Sequence, residues 1–239
     1  HSWSVPIHRA LGCGDYRLIE LEPEQLGDFL QREDIGGLNV TIPYKRDVMK
    51  FCGVLDPAAE SIGSVNTLVR RNGKLCGYNT DIDGFLYMLR RAGISLAGKK
   101  VLILGSGGAS LTAQAAARRE GAGEIVVVSR SGPDNYENLA LRHGDAEVLI
   151  NTTPVGMWPR LEERSVDLRW LPKVTAAADV IYNPGRTNLL LQAEELNRAA
   201  PNRDALLRLG VEPEPIRHIR HTGGLSMLVH QAKRAEELF

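Results

Sequence analysis

Through the middle of the chain, short apolar runs alternate with stretches of helical spacing. Residues 99–104, 124–128, 146–150 and 178–182 are such runs, each bounded by glycine or polar residues. None alternates strictly between apolar and polar, which is the pattern of strands covered on both faces. Between the first two runs, 109–120 is rich in alanine, a strong helix former, and Gly121 and Gly123 supply its stop. Strand, helix, strand in this rhythm predicts a doubly wound parallel sheet. The residues before 82 read differently. Strands are expected at 17–21 and 38–42, and helices at 24–31 and 45–51. Residues 67–71 and 74–78 flank Asn72-Gly73, a strong hairpin signal. Asp81 stands where it could cap the following helix, in which Ile82, Phe85, Leu86 and Leu89 share a face. A last helix is expected over 225–239, with Leu225, Leu228, Val229 and Ala232 on one side. The expected architecture is two α/β domains with a cleft between them: residues 1–82 with 223–239, and residues 83–222.

Composition removes several classes of function. Hydrophobic residues make up 43% and charged residues 24%, and 29 basic residues balance 29 acidic ones. Such a chain can build a core but carries no general field for nucleic acid or an anionic membrane. Cys13, Cys52 and Cys76 are odd in number and lack C-x-x-C spacing, so neither a disulfide framework nor a metal site is expected. No apolar run approaches the roughly 20 residues of a membrane span. No secretory leader is visible. The expectation is a cytoplasmic protein, monomer or homodimer, acting on a small molecule.

The first candidate chemistry is Gly105-Ser106-Gly107-Gly108-Ala109, which follows a strand and opens a helix. Glycines let a backbone approach a pyrophosphate, and the helix N-terminus offers free N–H groups with a positive dipole end. The string departs from G-x-G-x-x-G/A, with Ser110 at the third small position and an added glycine at Gly108. The next strand ends in Ser129-Arg130-Ser131. A carboxylate there would bond the ribose 2′-hydroxyl of NAD and repel the 2′-phosphate of NADP. Arginine between two hydroxyls suits the phosphate, so NADP is expected over NAD.

The second is a set of polar segments at strand ends: NVTIPYK at 39–45, SVNT at 64–67 and NTD at 79–81. Together they offer a lysine, a carboxylate and neutral hydrogen-bonding groups. A pocket for a polyol needs that mixture, because every buried hydroxyl requires a partner.

These segments, followed in order by GSGGAS, INTTPVGM, DVIYNP and GLSMLVHQA, resemble the shikimate dehydrogenase family along the length of the chain. The resemblance implies an N-terminal substrate domain, a Rossmann-type NADP domain, and reversible NADPH-dependent reduction of 3-dehydroshikimate to shikimate in aromatic amino acid biosynthesis. It implies Lys45 and Asp81 as the catalytic pair, with Lys45 exchanging a proton at the substrate hydroxyl. Ser2 and Ser4 are implied to bind the substrate carboxylate, although Pro6 lies one place later than the family's proline. Thr41, Asn66, Tyr182 and Gln231 are implied substrate contacts. Gly105 to Ala109, Ser129, Arg130 and Ser131 are implied cofactor contacts, and of the last three only Arg130 is identical to the common Asn-Arg-Thr. Val180 and Gly224 are implied at the nicotinamide. Two departures leave alternatives open. Family members carry a strand before the H-S-x-S segment that is not found in this sequence, and the stretch 197–221 is longer than usual. Its Arg217 to His221 cluster is expected to be a solvated loop. The alternatives are a quinate/shikimate dehydrogenase using NAD, or an inactive or ligand-sensing relative.

Overall fold

The computed structural model describes residues 3–198 and 203–239. The chain divides into two units, His1–Tyr87 with Ser226–Phe239, and Met88–Leu225. The first division falls inside the helix Asp81–Arg91.

In the first unit, β1 (Gly37–Asn39), β2 (Val54–Leu55), β3 (Thr67–Arg71) and β4 (Lys74–Tyr78) form a sheet in the order β1-β3-β4-β2. β3 and β4 are the expected hairpin. Asn72 and Gly73 take φ of 50° and 74°, the two left-handed positions that an Asn-Gly turn provides. β1 runs antiparallel to β3, and β2 parallel to β4. The helices are α1 (Ser4–Ala10), α2 (Leu26–Gln31), α3 (Pro57–Ile62), α4 (Asp81–Arg91) and, from the end of the chain, α9 (Leu225–Glu236). α3 is delimited by its own residues: the Asp56 side chain accepts from Ala58 N, Pro57 fits the first turn, and Gly63 stops it at φ 68°. Leu26, Leu30, Val48, Ala59, Val65 and Leu68 meet in the core of this unit.

Three expectations fail here for local reasons. Residues 17–21 take no regular secondary structure and pair with no strand among the described residues, and Leu18 and Ile19 stay 57% and 46% exposed. Residues 45–51 form only a 3₁₀ turn over Asp47–Phe51. The strand at 38–42 stops at Asn39, because the chain folds into a turn in which Tyr44 N donates to Thr41 O.

In the second unit, β5 (Lys100–Leu104), β6 (Glu124–Val128), β7 (Val148–Asn151), β8 (Ala176–Asp179) and β9 (Arg220–Thr222) form an all-parallel sheet in the order β6-β5-β7-β8-β9. Its helices are α5 (Gly108–Arg119), α6 (Leu139–His143), α7 (Asn188–Leu196) and α8 (Arg203–Arg208). The chain leaves β5 toward β6 on one side and later adds β7 on the other. β5 and β7 therefore flank a topological switch point, and ligands of such sheets bind beyond the strand ends there. β8 starts earlier than the run 178–182 because Ala176, Ala177 and Ala178 pair with Val148, Leu149 and Ile150, and all are buried. Alanine is a poor strand former alone, but it fits a sheet covered on both faces.

The cluster 217–221 is not a solvated loop. Arg217 donates to Leu168 O at 2.7 Å, Leu171 O at 2.7 Å and Val174 O at 2.9 Å, and Ile219 is buried. Only a guanidinium carries enough donors in one plane to satisfy three carbonyls. Arg217→Ala leaves all three without that partner and is expected to lower stability by about 2 kcal/mol or more, with Arg217→Lys recovering only part. Urea unfolding midpoints check both variants.

Candidate active site

At the start of α4, the backbone N–H of Ile82 is taken by Asn79 Oδ1 at 3.3 Å. Asn79 therefore caps the helix, and the expectation of Asp81 as the cap is corrected. Asp81 lies in the first turn. Its carboxylate is directed instead to Lys45, with Nζ to Oδ2 at 2.6 Å. The two side chains remain 25% and 18% exposed, so the pair is screened but still open to a ligand. Lys45 is anchored from its backbone, where Val65 N donates to Lys45 O.

Asn66 fixes the geometry around this pair. It is buried, and its Oδ1 accepts from Thr80 N at 2.7 Å, while its Nδ2 donates to Thr80 Oγ1 at 3.0 Å and to Gln231 Oε1 at 3.5 Å. Thr80 precedes Asp81, so the amide that holds Thr80 also holds the carboxylate. Asn79 Nδ2 adds a bond to Ser64 O at 2.8 Å. Gln231 is brought in by a close approach of α4 and α9. A Cβ at Gly84 would stand 2.5 Å from Met227 O and 3.0 Å from Gln231 Cβ, and Tyr87 stacks on His230 with centroids 4.1 Å apart. Lys45 and Asp81 thus form one pair, and Asn66 and Gln231 one hydrogen-bonded group, in the same unit. Thr41 is exposed on the turn that leads to Lys45. Ser4 is half-buried at the start of α1. Ser2 lies outside the described residues. Thr80 was missed by sequence reasoning, although its place between Asn79 and Asp81 was a usable signal.

In the second unit, Gly105 leaves β5 at φ 104°, and a Cβ there would lie 2.9 Å from Thr152 Oγ1, so conformation and space both require glycine. Gly107 and Gly108 have nothing within 4 Å of a would-be Cβ, and Ser106 is exposed. Gly107 makes no side-chain cap to α5, whose first N–H groups stay available. Ala109 follows in the first turn. Ser110 is buried, and its Oγ accepts from Gln114 Nε2, which lets the helix pack closely despite the departure from the usual motif. At the end of β6, Arg130 and Ser131 are exposed, and Arg130 makes no ion pair with any described residue. Ser129 N is held by Asp134 O, which curls the loop. An open glycine turn on a helix N-terminus, beside an unpaired arginine and no carboxylate at the strand end, fits a dinucleotide with a 2′-phosphate.

A second buried centre shapes the strand ends of this unit. Asp179 is fully buried and accepts from Asn151 Nδ2 at 3.1 Å, Ile181 N at 3.0 Å and Thr187 Oγ1 at 2.7 Å. Burial pushes its carboxyl above the usual carboxylate range, against those three donors. This arrangement fixes Val180 and Tyr182 in the segment that leaves β8. Gly224 meets the same segment: its N donates to Ile181 O, and a Cβ would lie 2.0 Å from Val180 O.

The comparisons with known proteins point mainly to shikimate dehydrogenases. The family model for the shikimate dehydrogenase substrate binding domain matches residues 1–68. A shikimate dehydrogenase (NADP(+)) of Clostridium beijerinckii is 33% identical over the whole of this chain and 87% of its own length. A chorismate mutase/shikimate 5-dehydrogenase fusion protein from Clostridium acetobutylicum superposes with a TM-score of 0.83 at 35% identity, covering 100% of this chain and 85% of that one. A Thermus thermophilus shikimate 5-dehydrogenase, solved with NADP(H) and shikimate, superposes with a TM-score of 0.75 at 27% identity, covering 99% and 88%. The two α/β units, one with a doubly wound parallel sheet, place the chain among Rossmann-type proteins. The chain belongs to the shikimate dehydrogenase family.

Two glycines separate packing from ligand binding. Gly84→Ala is expected to destabilise the first unit by about 1–3 kcal/mol, because the methyl meets backbone. Gly107→Ala meets open space and should lower the unfolding midpoint only slightly, through the loss of a favoured N-cap residue, while raising KM for NADP several-fold. Thermal unfolding and steady-state kinetics on both variants distinguish the two effects.

Proposed function

We propose that this chain is an NADP-linked shikimate dehydrogenase, interconverting 3-dehydroshikimate and shikimate in aromatic amino acid biosynthesis. The observation that carries the reading is the Lys45–Asp81 pair at 2.6 Å, beside the Asn66 frame. A bound nicotinamide supplies or accepts the hydride. Oxidising a secondary alcohol also requires its hydroxyl proton to leave, and Lys45 is the group for that exchange. Asp81 keeps Lys45 Nζ aimed at one place, where the ammonium form gives the proton in reduction and the neutral amine takes it in oxidation. Asn66 and Gln231 suit ring hydroxyls, and a hydroxyl that meets the Asn66 amide takes the place of the long 3.5 Å bond to Gln231. Ser2, Ser4, Thr41 and Tyr182 complete the proposed substrate contacts. Gly105, Ser106, Gly107, Gly108 and Ala109 cradle the pyrophosphate, Ser129, Arg130 and Ser131 take the 2′-phosphate, and Val180 and Gly224 flank the nicotinamide. In this reading the first unit carries substrate and the second the dinucleotide.

No described helix is long and apolar enough to cross a membrane, and no described group of side chains forms a metal site. The three cysteines are free thiols, which supports a reducing, cytoplasmic setting. Burial pushes the Cys52 thiol up to about 11, so it stays neutral and unreactive at physiological pH.

The test is turnover, followed by absorbance of the reduced nicotinamide, with shikimate or quinate and with NADP or NAD. Turnover with shikimate and NADP supports the proposal. Faster turnover with quinate and NAD moves it to the quinate/shikimate alternative, and none with any pair, from folded protein, to a sensing relative. Arg130→Ala should raise KM for NADP at least ten-fold while changing KM for NAD little, since only NADP carries the phosphate. Equal changes would remove Arg130 from the 2′-phosphate site.

A further inference from the structure

A second line of hydrogen bonds enters the Asn66 frame from the side of α1. Tyr16 OH donates to Asn39 Oδ1 at 3.2 Å, Asn39 Nδ2 donates to Thr67 Oγ1 at 3.3 Å, and Thr67 Oγ1 donates to Asn66 Oδ1 at 3.2 Å. Polarity is set at each step. Because Asn39 presents its oxygen to Tyr16, its NH₂ must face Thr67. Because the single Tyr16 hydroxyl hydrogen is spent on Asn39, Tyr16 accepts from Ser4, with which it is also hydrogen-bonded. The tyrosine cannot swing away. Its ring stacks on His8 at 3.9 Å with planes 3° apart, and His8 Nδ1 is bonded to Glu236 on α9. Burial raises the Tyr16 phenol above its usual pKa, so it remains a neutral donor at working pH.

We infer that Tyr16 is a positioning residue for substrate, acting through Ser4 and Asn39. Its hydroxyl fixes the Ser4 rotamer and the orientation of the Asn39 amide, and so joins the proposed carboxylate end of the substrate site to the Asn66 frame at the hydroxyl end. Without that hydroxyl, Asn39 loses the donor that defines its orientation and Ser4 loses its acceptor. Tyr16, Ser4 and Asn39 all belong to the first unit, and the proposed dinucleotide contacts belong to the second, so the effect should fall on substrate and not on dinucleotide. The inference rests on the shikimate reading given above.

The test is calorimetric titration of Tyr16→Phe, Ser4→Ala and the double variant with shikimate and, separately, with NADP. Tyr16→Phe keeps the ring on His8 and should unfold near the wild-type midpoint. It is expected to weaken shikimate binding about ten-fold, the scale of one hydrogen bond, and to leave NADP binding unchanged. The double variant should bind shikimate more tightly than the two single losses multiplied together, because both act on one link. Unchanged shikimate affinity in folded Tyr16→Phe, multiplicative losses, or equal weakening for both ligands with a lowered midpoint would each overturn the inference. Wild-type protein that binds NADP but no shikimate overturns the shikimate reading and this inference together.

Discussion

The buried amide of Asn66 is the constraint on which the first unit's site depends. It ties Thr80, and through it Asp81, to the start of β3, and it reaches Gln231 on α9. A side-chain amide suits this task because it presents an acceptor and two donors in one plane, and burial makes each bond costly to leave unmade. Asp81 then needs no backbone partner, since Asn79 caps α4. Freed from capping, the carboxylate aims Lys45. A lysine side chain has many rotamers, and ion pairing in a partly buried setting removes most of them.

The second unit is organised by different physics. The dinucleotide surface proposed for it is made where strands stop. β5 ends at a glycine whose φ and neighbours exclude any side chain, and the turn delivers the chain to the N-terminus of α5. Beyond β7 and β8, the buried Asp179 carboxyl gathers Asn151, Thr187 and the backbone of Ile181 into one cluster. Its desolvation opposes folding, and three donors offset it. Such a buried polar group specifies one loop geometry, where an apolar packing would tolerate several.

How much of this was legible in the sequence follows from the range of each interaction. The Asn72-Gly73 hairpin, strands β5 and β6, and the glycine turn are set by residues a few positions apart, and all appear where pattern places them. Lys45 and Asp81 are 36 residues apart, and only the family motifs singled them out as a pair. Sequence period could not show that Ala176 to Ala178 form a strand, because alanine is read as a helix former until its sheet neighbours are known. It also could not show that Arg217 serves three carbonyls some 40 to 50 residues earlier, since a cluster of arginine and histidine reads as surface. Residues 17–21 fail in the opposite sense: β-branched and apolar residues suggest a strand, but a strand exists only by its partner. Tyr16 offered no sequence signal, being a lone aromatic after a glycine-rich turn.

The most direct measurement of the central claim, that Lys45 held by Asp81 exchanges the proton, is the steady-state kinetics of shikimate oxidation by Lys45→Ala with NADP. A fall in kcat of about 10²–10⁴-fold is expected, the range of a lost general acid–base group, with KM for shikimate changed only a few-fold. An unchanged kcat with a raised KM would contradict it and leave Lys45 as a binding residue alone.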